Sequence, residues 1–266
     1  STVGGGATTG AWSIISGGGS LSSIAQTATP STVTYTPAAN FTGTVILRLT
    51  SNTVGGCSAA TDDKSIVIPP LPAISAGGAV TVCQSSSPSP ITLTGATIGG
   101  IVTSAAWSIQ SGSGTLSNVS PTANPALVTF TPASGFSGNV VLLLTGFPNV
   151  TCSPITSTRT IVVTQLSSVN AGGPTTICQS ASPSPFILSG AGVGGGATTG
   201  AWSIISGGGT LSSTSQTAIP ASVTYTPVAN FTGTVILRLT SNFGTGCSAV
   251  TADRTININP LPTVTA

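Results

Sequence analysis

The chain has 266 residues, of which 3% are charged: five Lys or Arg and three Asp, with no His, Glu or Met and a net charge of +2. An ordinary soluble domain is roughly 25% charged; so sparse a set leaves no basic patch for nucleic acid or an anionic membrane, no His to serve a Ser as base, and no Glu–Asp pair for glycosidic chemistry. Mean hydropathy is +0.47, yet Ser, Thr and Gly break every apolar run short of the ~18 residues of a membrane helix, so no membrane insertion is expected.

In chain order, the first element is "TGAWSIISGGG" (Thr9–Gly19). Trp12 and Ile14 share one face of a strand, and Gly17–Gly19 supply the positive φ angles of a tight hairpin into "SLSS". "VTYTP" follows, with Val33 and Tyr35 on one face. In "GTVILRLT" (Gly43–Thr50), Val45, Leu47 and Leu49 alternate with Thr44, Ile46 and Arg48, the period-two pattern of a half-buried strand. Cys57 precedes a last strand that carries Asp62, Asp63 and Lys64, and "PPLPAIS" (Pro69–Ser75) makes a short, stiff joint.

The later elements repeat the earlier ones. Trp12, Trp107 and Trp202 stand 95 residues apart, as do Tyr35, Phe130 and Tyr225, and Cys57, Cys152 and Cys247; Cys83 and Cys178 keep the interval. Between Gly4–Asn52 and Gly194–Asn242 only 7 of 49 positions differ, while the middle copy has drifted. The resulting alternation reads as duplication of two-repeat blocks; it also makes neighbours unlike, which discourages strand swapping. "QLSSVN" (Gln165–Asn170) and "NPLPTVTA" (Asn259–Ala266) match the first joint.

A unit of this size can bury its own core. The expected organisation is an incomplete repeat at 1–70 that lacks its first strands, full repeats at 71–165 and 166–260, and the first strand of another at 261–266. No charged and apolar leader opens at Ser1, so the segment reads as a window onto a longer array. About seven short strands per repeat, divided by Gly, Pro, Asn and Ser, predict an all-β chain of tandem immunoglobulin-like β-sandwich domains. Trp12, Trp107, Trp202, Tyr35, Phe130 and Tyr225 are the expected core, an inward register that favours packing over glycan stacking.

Cys83 and Cys152 lie 69 residues apart within one repeat, and Cys178 and Cys247 repeat that spacing. With no His for a zinc site, the pairs Cys83–Cys152 and Cys178–Cys247 are expected as disulfides, each stabilising its repeat by about 4 kcal/mol. Cys57 then needs a partner outside this chain segment. Disulfides place the protein outside the cytosol.

Other candidates are weaker. Asp62 and Asp63 suggest calcium, but Ser157–Thr158 and Ala252–Asp253 replace them in the other repeats, and calcium needs six or more oxygen ligands. "GGGATTG" (Gly4–Gly10) lacks the Lys and helix of a phosphate loop. Lys64, Arg159 and Arg254 share one position, where a charge guards a sheet edge. Arg48 and Arg238 face outward on a solvated edge. Asn40, Asn118, Asn149 and Asn230 open N-x-S/T sequons. No catalytic residue, cofactor site or metal site is expected.

The runs "VTYTPAANFTGTVILRLTSN" (Val33–Asn52) and "CQSSSPSPITLTGA" (Cys83–Ala96), with "WSI.SG.G.LS" and "T..I.I.P.P", resemble the immunoglobulin-like tandem repeats of giant Bacteroidota cell-surface proteins of the gliding and adhesin type. The resemblance covers all three copies. It implies a filamentous, extracellular protein at the cell surface, of a kind commonly exported by the type IX secretion system, and carries over no catalytic residue.

The leading functional expectation is a structural segment of a long surface fibre or adhesin stalk, whose partners are neighbouring repeats of the same chain. The alternatives are a filament or sheath subunit that packs against other copies of itself through Ile46, Val141, Leu143 and Ile236, and a carbohydrate- or protein-binding adhesin module. Near-identical loops in the outer repeats suit a spacer better than diversified binding tips.

Overall fold

The structure is a computed structural model and describes residues 1–149 and 152–264. It is all-β, with short strands and three single-turn 3-10 segments. Its contacts group into two units: Ser1–Ile74 with Ile98–Thr103 and Gly146–Ile155, and Ser75–Thr97 with Ser104–Thr145 and Thr156–Ala266.

The third repeat, within the second unit, shows how the alternating sequence becomes a sandwich. Thr175–Cys178, Thr251–Asn259, Gly233–Ser241 and Gly200–Ser206 form one sheet in that order; Phe186–Ile187, Thr224–Thr226 and Thr210–Leu211 form the other. Every second side chain of Gly233–Ser241 points inward, so Val235, Leu237 and Leu239 are buried with Ile256, Ile258 and Trp202 against Val223, Tyr225 and Leu188 of the opposite layer. The middle repeat has the same division into four and three strands. This is an immunoglobulin-like β-sandwich.

Each Trp lies on the inner face and donates its indole N–H to the carbonyl of a buried Pro that opens a 3-10 turn: Trp12 to Pro30, Trp107 to Pro125 and Trp202 to Pro220, each at 3.0 Å. The Pro contributes a fixed φ and an acceptor, which satisfies the one polar atom that the largest core side chain carries inward. Phe130 and Tyr225 are also buried, and Phe186 meets Tyr225 edge-on at 5.7 Å. In the first unit Val45, Leu47, Leu49 and Trp12 form the core, with Tyr35 only half-buried. Among the described residues, no strand there holds the place of Thr175–Cys178 beside the last strand.

Two local expectations are corrected. Gly17 and Gly19 have positive φ, but they make no hairpin. Gly10–Ser16 pairs with Gly43–Ser51, whereas Gly19–Leu21 pairs with Tyr35–Pro37 in a separate sheet. The glycines carry the chain between layers, and a Cβ on Gly17 would meet Val45 at 2.8 Å. The strand expected at 261–266 is also absent from Leu261–Val264; its equivalent Ser167–Asn170 is held by Gly192–Gly195, and nothing pairs Leu261–Val264 in that way. Residues 265–266 lie outside the described residues.

One turn shows why the copies can drift without changing shape. Asn40 and Asn230 sit at φ 60° and 59°, and the equivalent middle residue is Gly135 at φ 68°. Only Gly, or Asn at modest cost, suits that left-handed position.

Candidate functional site

The feature that recurs at fixed places and carries chemistry is the cysteine set. Its first half is the end of a strand. Val80–Cys83 runs parallel to Ile155–Thr164, with Cys83 opposite Thr164, so the thiol stands where the chain leaves the middle repeat. Gln84 locks that end: its backbone N–H donates to Thr164 at 2.7 Å, its side-chain amide donates to the carbonyl of Gly135, and its side-chain carbonyl accepts from the N–H of Leu166 at 3.0 Å. The second half is the loop after Ser241 in the third repeat. The Cys247 N–H donates to Gly244 at 3.0 Å, closing a turn in which Gly246 adopts φ 83°. Thr164 donates its hydroxyl to the carbonyl of Thr245 at 2.9 Å, and a Cβ on Gly244 would collide with the Thr164 side chain at 2.8 Å.

Cys83 and Cys247 are joined by a disulfide, Cα–Cα 5.0 Å, across a sequence separation of 164. The expected pairs Cys83–Cys152 and Cys178–Cys247 are therefore incorrect: Cys152 and Cys178 are unbonded and exposed, as is Cys57. The reason is the position of each thiol along the final strand of its repeat. Cys178 lies opposite Asn259, the end of Thr251–Asn259, whereas Cys247 precedes the start of that strand. Some 25–30 Å of extended chain separates them, far beyond the Cα–Cα span of a disulfide, about 7 Å at most. A strand-end thiol therefore cannot reach the loop of its own repeat; that of the middle repeat, Cys83, reaches the loop of the third.

Sequence reasoning missed Gln84 and Gln179. The available signal was the dipeptide "CQ", present at 83–84 and again at 178–179. Gln179 makes the same set of contacts: backbone to Asn259 at 2.8 Å, amide to Asn230 at 2.9 Å, and acceptance from Leu261 at 3.4 Å.

The other candidates have structural places. Ile46, Val141, Leu143 and Ile236 are half-buried on outer strand faces. Arg48 and Arg238 make two-point ion pairs with the cross-strand residues Asp63 and Asp253, at 2.7 and 2.8 Å. Lys64 is exposed, but Arg159 and Arg254 are not edge guards: both are buried. Register explains this, since Arg254 stands opposite Leu237 and so turns inward. Its guanidinium donates to the Ser189 carbonyl and the Thr175 hydroxyl, both at 2.8 Å, and Arg159 donates to Thr94 at 2.7 Å. Burial lowers the pKa of both. Among the described residues, no cluster of three or more His, Cys, Asp or Glu is placed to hold a metal. A cleft in the first unit is lined by Trp12, Leu49, Asp62 and Lys64; strand Thr175–Cys178 occupies the matching edge of the third repeat.

The hydrogen bonds from Arg48 and Arg238 lower the pKa of Asp63 and Asp253. A lowered folded-state value contributes stability that is present above the unfolded value, near 3.9, and lost as pH falls through the folded one. With no His or Glu in the chain, the melting temperature should be flat from pH 5 to 7 and decline only below about pH 4; calorimetry across that range would reveal any further titrating group.

No family model matches the chain, and no curated protein matches it. Among solved structures, it is similar to a three-Ig fragment of titin in an E-to-A mutated variant, at 12% identity and TM-score 0.45, covering 95% of this chain and 88% of that one. It is also similar to the first four extracellular cadherin domains of protocadherin gamma B7, at 8% identity and TM-score 0.41, covering 95% and 67%. A third is Drosophila N-cadherin EC1–4, at 9% identity and TM-score 0.35, covering 97% and 69%. These are likenesses of fold alone.

Proposed function

We propose that the chain is a structural segment of a long extracellular fibre or adhesin stalk, in which successive immunoglobulin-like repeats are tied to each other covalently as well as through the backbone. The observation that supports this most is the bridge from Cys83 to Cys247, which joins one 95-residue repeat to the next. Closing a ring of that length stabilises the folded chain by about 5 kcal/mol on the chain-entropy view, and such bonds persist in oxidising surroundings outside the cytosol. A resemblance to Bacteroidota surface repeats points to the same setting. The chain's part is mechanical: it spans distance and resists extension, and its partners are its own neighbouring repeats.

The test is accessibility on the producing cell. Antibody raised against the segment should label intact, unpermeabilised cells, and external protease should remove the label. Labelling only after permeabilisation would overturn the reading.

A further inference from the structure

We infer that Cys57, Cys152 and Cys178 are half-joints of the same kind, so that the bridge between repeats is periodic. Each repeat offers a strand-end cysteine to the repeat that follows it and a loop cysteine to the repeat that precedes it. The inference deepens the reading above and rests on it.

Both kinds of half-joint are built without a partner. Cys178 stands 95 residues after Cys83 and in the same setting: opposite the last residue of the final strand, followed by a Gln that ties the strand end to the left-handed turn at Asn230 and to the joint residue Leu261. Cys57 stands 190 residues before Cys247, and its N–H closes the same turn onto Val54 at 2.9 Å, with Gly56 at φ 84° where the bonded loop has Gly246 at φ 83°. Cys152 holds the loop position of the middle repeat. All three thiols are exposed. The occupant for Cys178 is the loop cysteine of a following repeat; for Cys57 and Cys152 it is the strand-end cysteine of a preceding one.

Bond formation needs an oxidant, and a small disulfide such as oxidised glutathione suffices. One cysteine thiolate attacks it, releasing one small thiolate and leaving a mixed disulfide. The second cysteine thiolate then attacks the protein sulfur and releases the other. Two protein thiols are oxidised, one small disulfide is reduced, and the two protons pass to the leaving thiolates.

The arrangement has a mechanical consequence. The ring closed by Cys83–Cys247 and a ring begun at Cys178 share residues 178–247, so successive rings overlap and two covalent routes run side by side along the array. On either route, roughly 26 residues of backbone, ~90 Å when fully extended, span each 190 residues of sequence, against ~650 Å without bridges. Such an array cannot be drawn out by unfolding.

The experiment adds one repeat to the existing chain, by placing a second copy of residues 172–266 directly after Ala266, which continues the 95-residue register. The protein is refolded in a glutathione redox buffer, alkylated, and mapped by mass spectrometry without reduction. The expected result is a cross-linked peptide joining Cys178 to the second copy of Cys247, with three alkylated thiols and not five. Five alkylated thiols with Cys83–Cys247 intact would overturn the periodic joint and leave the fibre reading standing; so would Cys178 bonded elsewhere. Loss of Cys83–Cys247 itself would sink both.

Discussion

Drawn out by its two ends in an oxidising buffer, the chain should stop short by roughly 570 Å relative to the same chain in reductant. The bridge removes the 164 residue steps between Cys83 and Cys247 from the extensible path, and each step contributes about 3.5 Å when fully extended. Force passes from the strand-end cysteine straight to the loop cysteine, so the residues between them, Trp107 and Trp202 included, lie inside a closed ring and carry no stretching load, while the final strand Thr251–Asn259 stays in the loaded path. Single-molecule force spectroscopy measures this directly: adding reductant under load should release one long increment. The pairs expected from spacing would instead hide two rings of 69 residues and release two increments of ~240 Å. Cys83→Ser should behave like the reduced chain even without reductant. Equal extension in both buffers would refute the bridge.

The second large effect is expected at Trp202. Its side chain is 1% exposed and touches both layers of the third repeat. Trp202→Ala should destabilise that repeat by about 3–5 kcal/mol, from lost burial and the cavity left behind, and it also leaves the Pro220 carbonyl without its donor. Trp202→Phe should fall between, since it keeps much of the packing but not the hydrogen bond. Trp12→Ala should cost less, because Trp12 is 9% exposed and its aromatic neighbour Tyr35 is only half-buried. Urea titration followed by far-ultraviolet circular dichroism would rank the three variants; a loss under about 1 kcal/mol for Trp202→Ala would place the stability of the repeat elsewhere.

Much of the fold was legible because its determinants are local. Val235, Leu237 and Leu239 alternate with outward residues, and that alternation is itself the statement that one face of the strand is buried. The inward Trp follows from the same alternation, whereas the Pro that starts each 3-10 turn and the left-handed turn at Asn40, Gly135 and Asn230, though set by local backbone preferences, are not among the expectations drawn from the sequence. The hairpin expected at the three glycines after Ser16 is not formed, because positive φ serves a hairpin and a crossing between sheets equally well and the local sequence does not say which.

What the chain's letters determined, then, was the interval, the class of fold and the inward row of each strand, since these depend on residues a few positions apart. Tertiary structure alone decided which sulfurs meet and which charges are buried. Cys83 and Cys152 are nearer in sequence than Cys83 and Cys247, but a thiol bonds only with one that lies within a few ångströms, and a strand held straight by its ladder keeps its two ends apart. Arg254 likewise looks like any surface cation until strand register sets it opposite Leu237 and turns it inward to cap carbonyls. Both outcomes are fixed by pairing partners tens of residues distant, which composition and local pattern do not encode.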